Sequence, residues 1–244
     1  MGTVAGLAIR SASRGTTLRR MRAFRAVLFD FHATLIDPGD AEVWIRAAER
    51  DYGGPVPGSL RGQLIGFLDQ IWERANDFDP GNERDISGVR HREIFESVIG
   101  RSFPTFDGQL VDALYFNLLA AWVAYDDAVP VLKSLQTAGI RTAILSNAGI
   151  DIRPVITRTG LADHLDVIAV SGEIAAVKPQ PEIFEWALAA LDVAASDTLM
   201  VGDNPLDDVG AVSLGVRTLL LPRTRGPIHG LDAVLALVGA PPLS

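Results

Sequence analysis

Five short apolar runs punctuate the chain: Ala26–Asp30, Arg141–Asn147, Val167–Gly172, Thr198–Asp203 and Thr218–Leu221. Their length and branched aliphatic content are those of strands buried on both faces. Between the last four the apolar positions switch to helical spacing, which predicts helices at about 151–163, over Pro181–Leu191 and over Asp207–Leu214. Pro181 suits a first helical position, and Ile183, Phe184, Ala187 and Leu188 share one face. Strands alternating with helices of this length predict right-handed crossovers and an α/β fold, a three-layer Rossmann-like parallel sheet between helices.

Between Thr34 and Arg141 that rhythm breaks, and almost no β pattern remains. Ala41–Tyr52, Leu60–Ala75, Val89–Ile99 and Gln109–Ala124 read as helices, with Gly- and Pro-bearing joints at 53–58, 80–88 and 100–108. A further helix is expected at about Ala128–Ala138, ended by Gly139. The predicted organisation is a flexible leader over 1–21, an α/β core made of 22–37 and 127–244, and an inserted helical unit over 38–126. Pro38 and Gly39, with the return at Tyr125–Val129, are the expected hinges.

Composition narrows the function. The chain has 244 residues, 48% of them hydrophobic, enough for one large core with a smaller companion. A formal net charge of −8 argues against a nucleic-acid partner. The absence of cysteine rules out disulfides and thiolate metal sites and fits the cytoplasm as the expected location. The longest apolar stretch, Leu114–Tyr125, is too short to cross a bilayer. Residues 1–25 hold six arginines and no acids, yet the Arg19-Arg20 pair is not followed by the apolar segment of an export signal. The segment reads as a disordered leader, or as sequence upstream of a natural start at Met21. Of 22 basic residues only Lys133 and Lys178 are lysines, so a lysine here is a candidate for work that arginine cannot do.

Four polar segments follow four different strands: Asp30-Phe31-His32-Ala33-Thr34, Leu145-Ser146-Asn147, Lys178-Pro179, and Gly202-Asp203-Asn204-Pro205-Leu206-Asp207-Asp208. Parallel strands deliver such residues to one edge of the sheet, where α/β enzymes place their chemistry. In this order, and with Val177-Lys178-Pro179-Gln180-Pro181-Glu182-Ile183-Phe184 and Asp208-Val209-Gly210-Ala211 around them, the motifs resemble those of the haloacid dehalogenase superfamily over about residues 26–222. The helical insertion resembles that family's cap between its first and second motifs.

The resemblance implies a Mg²⁺-dependent phosphatase acting on a small phosphorylated metabolite, as a monomer or homodimer. Asp30 would be the nucleophile that becomes an aspartyl-phosphate. Mg²⁺ would be held by Asp30, the backbone carbonyl of His32, Asp203 and an acid from the pair Asp207 and Asp208, with Asp208 preferred. Lys178 would neutralise the nucleophile and the phosphoryl group, while Thr34, Ser146 and the Asn147 N–H would hold phosphoryl oxygens.

The chain departs from the phosphatase pattern at His32, where the family carries a second aspartate that protonates the leaving group and then activates water. An imidazole can serve as both acid and base. Nearby cations disfavour its charged form and so weaken the acid step more. Ala33 stands where the family usually has glycine. The expectation is hydrolysis with His32 as acid/base, and the alternative is a phosphate-binding protein with weak or absent turnover. The metal-free dehalogenase branch carries tyrosine at the His32 position, which makes that activity less expected. The phosphonate-cleaving branch needs a cap lysine, and residues 37–127 contain none.

In the insertion, Arg90, His91 and Arg92 form the densest basic group, read as a solvated helix start ahead of a second anion site. Trp44, Trp72 and Trp122 are expected in the core. His164 and His229 have no recognisable partners in the sequence.

Overall fold

The computed structural model describes residues 24–243, so the predicted leader over 1–21 lies outside the described residues. In chain order the strands are β1 (Ala26–Phe29), β2 (Ile36–Asp37), β3 (Val123–Ala124), β4 (Arg141–Ser146), β5 (Val167–Val170), β6 (Thr198–Gly202) and β7 (Arg217–Leu220). Five of them form one sheet in the order β5-β4-β1-β6-β7, and every neighbouring pair is parallel. This is the predicted α/β architecture, with β1 at its centre.

Side chains of β1 alternate between two cores, as a strand's two-residue period requires. Val27 and Phe29 pack into one apolar cluster with Ile144, Leu199 and Val201, and Ala26 and Leu28 into another with Ala143, Leu145 and Met200. All four β1 residues are fully buried, which is why the run reads as uninterrupted apolar sequence.

The helices are α1 (Ala41–Tyr52), α2 (Gly58–Leu68), α3 (Ile71–Ala75), α4 (Gly88–Ser102), α5 (Gly108–Phe116), α6 (Ala128–Thr137), α7 (Arg153–Arg158), α8 (Ser171–Ile174), α9 (Pro181–Leu191) and α10 (Asp232–Val238). The first core is closed by α6, α7 and α10, and the second by α9, whose Ile183, Phe184, Ala187 and Leu188 face inward as predicted. No helix among the described residues is long and apolar enough to cross a membrane.

Helices α1 to α5 build a third cluster around Trp44, Ile45, Leu64, Phe67, Phe95, Ile99 and Leu114. Capping fixes their starts: the carboxylates of Asp40 and Asp107 and the hydroxyl of Ser87 accept backbone N–H bonds from Glu42, Leu110 and Arg90. Replacing a large member of this core, such as Phe95, by alanine costs about 3–5 kcal/mol.

Several predicted elements are corrected. The expected helix over Leu60–Ala75 is broken at Asp69 and Gln70, where Gln70 leaves the helical region. The apolar positions 64, 67, 68, 71 and 75 keep helical spacing across the break, so periodicity is blind to it. The expected helix over Gln109–Ala124 stops at Phe116, where the Asn117 side chain donates to the Ala113 carbonyl and to Asp51. The chain then turns into β3, which pairs antiparallel with β2, a long-range contact that overrides local propensity. The predicted helix at 151–163 shortens to α7 and a separate turn. The segment Asp208–Leu214 is a 3₁₀-helix, tightened from a start at which both carboxylate oxygens of Asp208 are anchored.

Candidate active site

Because β1, β4 and β6 run parallel, their carboxyl ends bring Asp30, Ser146 and Asp203 to one edge of the sheet. Backbone bonds hold the loop after β1: Asp30 N–H donates to Val201 (2.8 Å), Leu35 and Ile36 donate to the Phe31 carbonyl (3.0 Å each), and Ala33 donates to Ile36 (2.7 Å). The tight loop requires a left-handed residue, and Ala33 adopts φ 63° while buried. That conformation is one glycine accepts at little cost and alanine does not.

Lys178 reaches into this edge. Its Nζ donates to Asp30 Oδ1 at 2.6 Å and to Asp208 Oδ1 at 2.7 Å, and all three side chains are buried or nearly so. Asn147 fixes the lysine backbone from both sides: its Oδ1 accepts from Lys178 N–H (2.8 Å), and its Nδ2 donates to the Lys178 carbonyl (3.0 Å). The second Asp208 oxygen accepts the N–H of Asn204 at 3.0 Å. Burial by itself would lower the Lys178 amine, but Asp30 and Asp208 outweigh it and hold the group charged, well above its ordinary range.

Asp203 is engaged at both oxygens. Arg223 donates to Oδ2, and Thr34 Oγ1 to Oδ1 at 3.4 Å. Ligand oxygens of Asp30, Asp203 and Asp208 lie within 4.8 Å of one another. Asp207 turns instead to the Asn204 side chain at 2.6 Å. The donor set fits a hard divalent cation: it is all carboxylate oxygen, and its three negative charges exceed the two positive charges of Lys178 and Arg223.

Over the edge opens a cleft of about 870 Å³, lined from the sheet by Asp30, His32, Ser146, Asn147, Lys178 and Asp203 and from the helical insertion by residues of α1, α3 and the turn before α4. The His32 ring lies 4.9 Å from Trp122 between centroids. Burial lowers its pKa against the opposing pull of Asp30, and so favours the uncharged ring.

The structure thus brings Asp30, His32, Ser146, Asn147, Lys178 and Asp203 to the cleft, with Thr34 and Asp208 directly behind. The basic group of the insertion divides. Arg90 is bound to Glu93, and Arg92 to Glu96 and Asp112, while His91 is buried against Trp72 and lines the cleft. Burial pushes His91 down to about 4, so it brings no positive charge. Trp44, Trp72 and Trp122 pack in the molecule and also line the cleft. His164 bonds the Gln136 side chain at 2.9 Å, and His229 packs on Tyr125. Sequence reasoning missed Arg223, Arg84, Glu73 and Asp85, all of which line the cleft. Only Arg223 carried a signal, its place in the loop that follows the last strand.

A parallel sheet with a carboxylate–lysine–carboxylate edge beneath a helical insertion defines a hydrolase of the haloacid dehalogenase-like type. The profile of the haloacid dehalogenase-like hydrolases matches residues 24–215, and the chain belongs to that family.

Its relatives span two chemistries. A phosphoserine phosphatase of Thermus thermophilus is 35% identical over 166 residues, 66% of this chain and 66% of that enzyme. The phosphoglycolate phosphatase (plasmid) of Cupriavidus necator is 33% identical over 80% of each chain. An (S)-2-haloacid dehalogenase of Pseudomonas sp. is 37% identical over 85% of this chain and 88% of its own length. Among solved structures, a magnesium-bound HAD-hydrolase of Bacillus subtilis superposes with a TM-score of 0.66 at 19% identity, covering 88% of this chain and 99% of its own, a likeness of fold alone.

Proposed function

We propose that the protein is a Mg²⁺-dependent hydrolase of a small phosphate monoester that works through an aspartyl-phosphate on Asp30. The observation that supports this most is the meeting of Asp30, Asp203 and Asp208 within 4.8 Å around a buried, charged Lys178. Lys178 holds Asp30 Oδ1, which leaves the other carboxylate oxygen to attack phosphorus. The same ammonium offsets the repulsion between a carboxylate and a phosphate ester. Ser146 and the Asn147 N–H donate to phosphoryl oxygens at the end of β4, and Thr34 steadies Asp203 from behind. Asp30, the His32 carbonyl, Asp203 and Asp208 would hold the cation, which supplies charge neutralisation for the transferring group.

His32 takes the place of the second aspartate. A neutral imidazole accepts the proton of the water that opens the aspartyl-phosphate, but gives up a proton to a leaving alkoxide poorly. Esters whose leaving group departs without protonation should therefore react fastest. Residues 38–126 serve as the cap that covers the cleft and excludes water. The partner is a small phosphorylated metabolite in the cytoplasm.

Phosphate release from p-nitrophenyl phosphate, with Mg²⁺ and with EDTA, tests the reading. Wild-type turnover that EDTA and Asp30→Asn both abolish is the expected result, and His32→Asp should keep or raise it. An inert wild type that His32→Asp awakens would instead identify a phosphate-binding protein without turnover. The relationship to the Pseudomonas enzyme supports dehalogenation as a second reading. Metal-independent halide release from 2-chloropropionate would establish it.

A further inference from the structure

The phosphoryl end of the cleft is fixed by Asp30 and Lys178, so the insertion faces the rest of the substrate. The charges on that side are unevenly satisfied. The cleft contains three arginines, and each is already bound to a carboxylate. Arg84, whose side chain is 9% exposed, bonds Asp79 and the Asn76 side-chain oxygen. Arg223 bonds Asp203, and Arg225 bonds Asp69 at 3.3 Å and the Gly39 carbonyl at 2.9 Å. Among the described residues, each arginine of the cleft therefore meets an incoming anion with part of its charge already neutralised.

The acids tell the opposite story. Glu73 is exposed at the cleft, and its carboxylate makes no hydrogen bond or ion pair among the described residues. It is within electrostatic reach of His32 and Arg223, but the Arg223 Nε is given to Asp203. Asp85 also lines the cleft, with a side chain 19% exposed. Its nearest cation is Arg84 at 3.7 Å, which is committed to Asp79 and Asn76. Burial pushes its carboxyl up to about 6, against the pull of Arg84, which marks a desolvated carboxylate short of positive charge. The aromatic side chains of Trp72 and Trp122, each half-buried, line the same cleft, packed against His91 and His32 respectively. An unpaired exposed carboxylate at Glu73, a largely buried one at Asp85 with a single shared arginine, and aromatic walls form an environment that attracts an organic cation more than an organic anion.

We propose that the cleft selects phosphate monoesters whose leaving group carries an ammonium, which Glu73 and Asp85 hold while Trp72 and Trp122 pack against its methylenes. The proposal rests on the phosphate-ester reading above and deepens it. It also disfavours substrates whose organic part ends in a carboxylate, including haloacids.

Three esters with two-carbon leaving groups separate the cases: 2-aminoethyl phosphate (cationic), 2-hydroxyethyl phosphate (neutral) and phosphoglycolate (anionic). With the Mg²⁺-loaded full chain, kcat/KM should be higher for the first than for the last by about tenfold or more, with the neutral ester between them. Glu73→Gln and Asp85→Asn should each reduce that ratio several-fold, and the double variant should bring it close to one. Calorimetric affinities of the three esters for Asp30→Asn supply the same ordering without turnover. The inference survives if that order holds, even in a protein that hydrolyses nothing, in which case only the hydrolase reading falls. A preference for phosphoglycolate, or a ratio that the double variant leaves unchanged, overturns the inference while phosphate release from p-nitrophenyl phosphate leaves the hydrolase reading intact.

Discussion

Asp85→Asn should stabilise the protein at neutral pH and leave its stability unchanged in acid. Asparagine keeps the shape of the side chain and removes its charge. In the folded protein the Asp85 carboxyl titrates near 6, against 3.8 for the ordinary group, with burial as the leading cause and Arg84 opposing. A carboxyl raised by folding binds its proton more tightly in the native state, so wild-type stability falls as pH climbs from about 4 to about 6. Above that window the whole penalty is present, and below it there is none. Taken at face value the displacement corresponds to about 3 kcal/mol. The remaining solvent contact of the side chain brings the expected gain nearer 1–2 kcal/mol. Urea unfolding of wild type and variant at pH 4.0 and pH 7.5 measures it directly. The two proteins should coincide at the lower pH, and the variant midpoint should lie higher at the other. Equal midpoints at pH 7.5, or a difference that grows toward acid, would refute the claim that this carboxylate is buried at a cost.

Other substitutions probe the geometry more bluntly. Gly39→Ala places a Cβ 1.9 Å from the Ala121 carbonyl oxygen at φ 74°, so thermal unfolding should show a loss of about 2 kcal/mol or more. Lys178→Met leaves Asp30 and Asp208 facing each other without their shared ammonium. It should cost about 3–5 kcal/mol in denaturant unfolding and remove turnover, whereas a stable Met variant would mean the pair is already screened. Ala33→Gly relieves a left-handed residue and should raise stability by up to about 1 kcal/mol, read as a shift in the unfolding midpoint.

The core of the site was legible because each of its residues stands at the end of a run whose type the sequence declares. Asp30 closes an apolar strand, Asp203 closes another, and Lys178 is one of two lysines in an arginine-rich chain. Parallel pairing then does the rest, since it carries all strand ends to one edge. Glu73, Arg84 and Asp85 were invisible for the converse reason. They matter only because the insertion lies over that edge, a placement set by contacts such as Ser171 Oγ donating to the Asp85 carbonyl and Gly149 packing on Arg84. The β2–β3 pairing joins segments far apart in the chain, and two-residue strands carry no periodicity to detect. Arg90 and Arg92 drew notice by their density, yet each is neutralised by neighbours along or across from its own helix.

The β2–β3 ribbon has a consequence for how such a protein can diverge. Helices α1 to α5 lie between Asp37 and Val123, two residues that are direct ladder partners. The entrance and exit of this helical stretch are therefore pinned side by side, and the intervening polypeptide closes a loop whose entropic cost grows only with the logarithm of its length. Helices can be added, deleted or exchanged there without altering the spacing of the strands that carry Asp30, Lys178 and Asp203. On the proposed function, selectivity is thereby free to drift in the helical stretch while the reactive residues at the sheet edge stay fixed.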